Sequence, residues 1–151
     1  MNLKDILVHI DSRPTCASRL EVAVRLACQQ QSRLTGIYVI PRPSVIAGRK
    51  DTLEQAEEAQ QRFRQATTAA GLESDWICVD SSINKLDVAN AINLYAHYHD
   101  LLVISQTDED AQEYFIPANL PERAVLGSGR PVLIVPYAGS YKHDYKRILL
   151  A

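Results

Sequence analysis

Apolar positions along this chain fall into two spacings, unbroken short runs and helical stripes. Leu101, Leu102, Val103 and Ile104 are apolar without a gap, and so are Val132, Leu133, Ile134 and Val135. Runs of this length suit strands buried on both faces, the habit of parallel sheets. A polar loop and one helix-sized segment separate them, so the stretch 100–136 reads as one βαβ unit. Ligands bind beyond the carboxyl ends of such strands, which directs attention to the residues after Ile104.

The same patterns run through the rest of the chain. Residues 3–10 form a strand, apolar in its second half apart from His9, and Asp11, Ser12, Arg13 and Pro14 break it. Thr15 is placed to cap a helix whose inward face is Leu20, Ala23, Val24 and Ala27. Residues 34–40 form a second strand stopped by Pro41 and Pro43. The longest helix spans 51–70, with Leu53, Ala56, Phe63, Ala66 and Ala70 on its apolar face and Gly71 at its end. Residues 76–79 are a short third strand at a sheet edge. Asn84 caps a third helix from Lys85 to about His97, with Leu86, Ala89, Ile92 and Ala96 inward. A fourth helix covers 120–126, where Asn119, Pro121 and Glu122 suit its start and Gly127 and Gly129 its end. The alternation predicts an open, doubly wound α/β domain.

Composition narrows the class. At 151 residues the chain suits one domain. Its 16 basic and 18 acidic residues are nearly balanced, which argues against a nucleic-acid partner. No apolar run approaches the roughly 20 residues of a membrane span, so no membrane association is expected. Cys16, Cys28 and Cys78 are far apart and outside C-x-x-C spacing. They read as buried or half-buried thiols in a reduced, cytoplasmic setting.

The tail repeats a motif. After Pro136, residues 137–145 read as a linker, and Lys146-Arg147-Ile148-Leu149-Leu150 echoes Lys4-Asp5-Ile6-Leu7-Val8 at the first strand. The echo divides the chain into a domain at 1–139 and, at 140–151, a linker with the start of a further strand. The alternative is a C-terminal strand that pairs with an edge.

Several motifs resemble the universal stress protein domain: K-D-I-L-V-x-x-D-S at the start, L-T-G-x-Y-V-I after the first helix, D-L-L-V-I-S and R-P-V-L-I-V-P. The resemblance covers nearly the whole chain. The stretches V-H-I-D-S and L-P-E-R-A-V-L-G-S-G-R-P-V-L-I-V-P-Y-A-G resemble the first half of tandem stress proteins, so the chain is either such a half or a one-domain version keeping the junction. The resemblance implies a five-stranded parallel sheet in the order 3-2-1-4-5 with helices on both faces. It also implies pairing of domains through the fifth strand, as a homodimer or tandem pseudo-dimer, and a role in stress survival. Adenine nucleotide binding, with ATP in some members, is implied as well.

The resemblance places the nucleotide site residue by residue. Asp11, with its neighbour Ser12, matches the position that meets adenosine, and Ile40 matches the backbone that meets adenine; a cap or turn before the first helix is the equal alternative for Asp11. Family members that bind ATP carry a G-x-x-G turn after the fourth strand, a nine-residue gap, and G-S or G-T. Glycines there let backbone N–H groups close on phosphates. This chain has Ser105 and Gln106 at the first glycine, where they read as solvated loop residues, no glycine in 107–110, and Ala118 and Asn119 at the later pair, Asn119 offering a side-chain donor. Asp108, Glu109 and Asp110 lie where phosphates belong and repel them.

Other chemistry is sparse. His9 reads as a hydrogen-bonded core residue, His97-x-His99 lacks a third metal ligand, and the acidic run 108–110 reads as a solvated loop. No G-x-S-x-G, H-E-x-x-H or Walker sequence is present. A phosphoacceptor receiver is set aside because Val135, not Lys, precedes Pro136. The expectation is a non-catalytic stress protein domain acting through association, with a degenerate nucleotide cleft. The alternative is an ATP- or AMP-binding stress protein with weak or no hydrolysis.

Overall fold

In the computed structural model, residues 3–42, 49–107 and 115–137 are described. Along them run β1 (Asp5–Ile10), α1 (Cys16–Gln30), β2 (Arg33–Ile40), α2 (Arg49–Ala69), β3 (Ser74–Asp80), α3 (Ser81–Asn84), α4 (Val88–Ala96), β4 (Leu101–Ser105), α5 (Leu120–Gly127) and β5 (Val132–Val135). The strands form one five-stranded sheet in the order β3-β2-β1-β4-β5. All neighbours are parallel: Asp5 lies opposite Arg33, Ile6 opposite Leu101, and Leu102 opposite Val132. This is the expected topology, and the strand order reverses between β1 and β4.

Alternation along the central strands divides the core in two. Ile6, Val8, Ile10, Leu34, Tyr38 and Val103 face α1 and α2, while Leu7, Ile37, Val39, Leu102 and Ile104 face α4 and α5. Burying each such side chain contributes roughly 1.5–3 kcal/mol, which is why β1 and β4 lack polar positions over most of their length. The far end of the first layer is an aromatic stack, with the Trp76 ring 5.4 Å from Phe63 and 6.4 Å from Tyr38. Gly36 makes room for it: a Cβ there would stand 2.8 Å from the indole.

The structure corrects several local expectations. The third helix does not start at Asn84. Asp80 caps the single turn α3 by accepting from the Ser82 N–H at 2.9 Å, and Lys85 ends that turn in a left-handed conformation (φ 56°). Asp87 then caps α4, accepting from the Asn90 N–H at 2.8 Å. Leu86 packs on the core from the connection between the two helices. On α2 the buried stripe is Thr52, Ala56, Ala59, Phe63 and Thr67, and Leu53 is exposed. Thr67 fits there because its hydroxyl donates to the Phe63 carbonyl at 3.1 Å. Thr15 occupies the N-cap position of α1 without a side-chain capping bond, and so does Asn119 at α5. Cys16 is buried, but Cys28 and Cys78 are exposed. β5 is half-buried with Ile134 exposed, because as an outer strand it is covered less completely. The acidic run 108–110 and the expected linker and strand start at 140–151 lie outside the described residues.

Candidate functional site

The carboxyl ends of β1 and β4 meet over a buried ion cluster. Asp11 directly follows β1, and the Arg13 backbone N–H closes back on its Oδ1 at 2.9 Å. Oδ2 accepts from Arg13 Nε at 3.1 Å, Arg13 Nη2 at 3.0 Å and Arg19 Nη2 at 3.0 Å. Arg19 reaches over from α1 and donates through Nη1 to the Ser105 Oγ at the end of β4, 2.7 Å away. All four side chains are buried. One carboxylate oxygen thus serves two buried guanidinium groups.

His9 completes the cluster, its Nδ1 3.8 Å from Asp11 Oδ2 and without a hydrogen bond among the described residues. It is the core histidine expected, but that ring nitrogen is not hydrogen-bonded. Burial and then the Arg19 charge lower its pKa to about 3 against the pull of Asp11, so the imidazole is neutral near pH 7. Burial alone would raise the Asp11 pKa. The Arg19 charge foremost, with His9 and Arg13, overrides that and holds the carboxyl well below the usual range. Arg19 stays a cation because Asp11 outweighs the cost of its burial.

In front of the cluster a cleft of about 170 Å³ opens between the ends of β1 and β2 and the first turns of α2, lined by Asp11, Ser12, Val39, Pro41, Gln55 and Phe115 among others. The Ser12 hydroxyl lies 3.1 Å from the Tyr38 hydroxyl and donates to Gln55 Oε1 at 3.5 Å. A second cleft of about 430 Å³ adjoins it, sharing Pro41 and Phe115 and running to Arg42, Ser81 and Lys85. Phe115 is held at φ 59°, uncommon for a bulky residue. A larger apolar groove of about 790 Å³ meets the smaller cleft at Ser12 and runs between α1 and α2, with Leu20, Val24 and Ala59 in its walls.

The residues assigned from sequence separate into two groups. Asp11 and Ser12 line the smaller cleft. The Ile40 side chain packs into the α1–α2 core, leaving Val39 and Pro41 to flank the cleft. Ser105 is not a solvated loop residue: it ends β4 and is buried behind Asp11, where the Arg19 guanidinium holds it. Gln106 donates its backbone N–H to the Val135 carbonyl at 2.8 Å, and Asn119 is exposed at the start of α5. Thr107 donates its hydroxyl to the Ala118 carbonyl at 2.8 Å, tying together the two ends of the loop after β4.

Sequence reasoning misses Arg19. It stands four positions before Ala23 and eight before Ala27, on the apolar stripe of α1 itself, and a charge on such a stripe signals a buried partner. Among the described residues no group of three His, Cys, Asp or Glu side chains could hold a metal ion. His99 Nδ1 lies 2.8 Å from the Tyr95 carbonyl. No helix among the described residues is long and apolar enough to cross a membrane.

Residues 2–136 match the model of the universal stress protein family. No curated protein matches the chain in sequence. Among solved structures, a universal stress family protein from Burkholderia pseudomallei is 22% identical, with 88% of this chain and 96% of that one covered and a TM-score of 0.65. The universal stress protein from Archaeoglobus fulgidus in complex with dAMP is 14% identical, covering 89% and 99%, at a TM-score of 0.66. A family protein from Arabidopsis thaliana with AMP bound is 12% identical, covering 88% and 91%, at a TM-score of 0.63.

Proposed function

We propose that this chain, which belongs to the universal stress protein family, is a non-catalytic domain that works through association and keeps a reduced cleft for an adenine mononucleotide. The observation carrying this reading is the double engagement of Arg19. Asp11 and Ser105, which the family resemblance assigns to adenosine and to the phosphate turn, are both held by the chain's own guanidinium group. The loop after β4 lacks the glycines of an ATP cradle, so a triphosphate has no backbone nest there. Neither Ser12 nor His9 is set up to activate water. Ser12 bonds Tyr38 and Gln55, and His9 is buried beside two cations.

The ligand class draws support from the solved relatives that carry dAMP and AMP. For association, the chemistry favours a second copy meeting at β5, in a two-fold pairing of the same edge. Ile134 in that strand and Tyr137 just after it are exposed, as are Val125 and Leu126 on α5, which packs against the strand, and an apolar outer strand favours pairing. A phosphate-release assay with ATP and magnesium tests the non-catalytic part, with no release above buffer expected. Turnover that persists through repeated purification and disappears in Asp11→Asn would overturn it.

A further inference from the structure

The geometry points to an anion subsite on the β2–α3 side of the nucleotide cleft, built by Arg42, Ser81 and Lys85, that takes the ligand's phosphate in place of the loop after β4. This rests on the reading of the smaller cleft as the adenine site. That cleft holds about 170 Å³, below the roughly 300 Å³ at which ligand pockets begin. A nucleotide therefore has to extend into a neighbour. The groove reached at Ser12 is mainly apolar, while the 430 Å³ cleft, joined at Pro41 and Phe115, carries Arg42, Ser81 and Lys85.

The wall of this second cleft fits an anion. Ser81 is buried, lines the cleft, and its hydroxyl has no hydrogen-bond partner among the described residues. A buried hydroxyl in that condition is unfavourable until an oxygen completes it. Arg42 and Lys85 line the same cleft, are exposed, and have no ion pair among the described residues. The Lys85 backbone N–H donates to the Ser81 carbonyl at 3.1 Å, which fixes the two residues relative to each other across the turn.

Carboxylates nearby do not cancel the charge. Asp87 is already engaged by Arg123 Nη2 at 2.9 and 3.1 Å and by the Asn90 N–H at 2.8 Å. Asp80 accepts from the Ser82 N–H at 2.9 Å. At the end of β4 and just beyond it, the hydroxyls of Ser105 and Thr107 are both in use. Ser105 is bound by Arg19, and Thr107 donates to the Ala118 carbonyl. An arginine fork, a lysine point charge and a hydroxyl donor together suit a phosphate monoester.

Calorimetric titrations with adenosine, AMP and inorganic phosphate, together with heteronuclear amide spectra, test this on the full chain and on Arg42→Gln/Lys85→Gln, Ser81→Ala and Ser105→Ala. AMP is expected to bind at least about tenfold more tightly than adenosine, as one charge-assisted contact or more provides. The double variant and Ser81→Ala should remove that advantage while leaving adenosine affinity unchanged, and Ser105→Ala should preserve it. Inorganic phosphate should shift the amides of Arg42 and residues 81–85. An AMP advantage retained in the double variant, or phosphate shifts confined to Gln106, Thr107 and Asn119, would overturn the subsite. If phosphate moves residues 81–85 while adenosine and AMP bind no better than phosphate alone, the anion subsite stands and the adenine reading falls. If phosphate leaves those amides unmoved, the subsite falls whatever adenosine does.

Discussion

Arg19 and Ser105 meet at 2.7 Å although 86 positions separate them in the chain. The same guanidinium holds Asp11 at 3.0 Å, so one buried side chain from α1 joins the ends of β1 and β4. Removing the carboxylate takes from buried Arg13 and Arg19 the oxygen they share. Asp11→Ala is expected to cost about 3–5 kcal/mol in urea unfolding, whereas Arg19→Leu, which leaves Asp11 paired with Arg13, costs clearly less. Equal costs for the two would show that Arg13 alone does not hold the Asp11 carboxylate.

Acid should unfold this protein through His9. Its folded pKa of about 3 lies below the ordinary 6.5, so between those values the unfolded chain binds the proton and the folded one does not. Stability therefore falls as pH drops through that window, by up to about 1.4 kcal/mol per pH unit. Asp11, with its depressed pKa, adds to the loss only below the ordinary carboxylate value of 3.8. Unfolding curves of His9→Gln should show a shallower slope between pH 6 and pH 4, taking those limits as about the middle of the window. An unchanged slope would mean that His9 is already protonated in the native state.

The aromatic stack sets a packing limit at Gly36. Adding a methyl group 2.8 Å from the Trp76 ring forces the indole to move. Gly36→Ala should cost about 1–3 kcal/mol and alter the fluorescence of Trp76. Wild-type stability with an unaltered spectrum would show that the stack yields without strain.

Association is expected through the outer edge of β5. In sedimentation, the wild-type chain should form a dimer, and Leu126→Asp with Ile134→Asp should give a monomer of unchanged far-ultraviolet dichroism. A wild-type monomer at micromolar concentration would remove this part of the account.

Much of the fold was legible because burial imposes spacing. The unbroken run at 101–104 required a strand covered on both faces, and β4 is buried throughout. The equally apolar run at 132–135 became a half-exposed edge, since composition does not record which strand is outermost. The start of α4 was misplaced by competing caps. Asn84 and Asp87 both suit the role, and the left-handed turn at Lys85 gives it to Asp87. At the site, Asp11 was visible as a polar residue closing an apolar strand. Its partners were not, because Arg19 and Ser105 meet only once β4 pairs with β1. Arg42, Ser81 and Lys85 form no local motif and come together through the β2–β3 pairing, where Ile40 lies opposite Asp80.

The measurement that bears most directly on the central claim is a thermal-shift titration with adenosine, AMP and ATP, each with and without magnesium. A ligand at 100 times its dissociation constant stabilises by about 2.7 kcal/mol, which moves the midpoint of a chain this size by several degrees. AMP should give a shift that ATP matches, with no need for magnesium in either case. A shift that requires ATP and magnesium together, with AMP silent, would mean that the loop after β4 cradles a triphosphate after all, and would contradict the account.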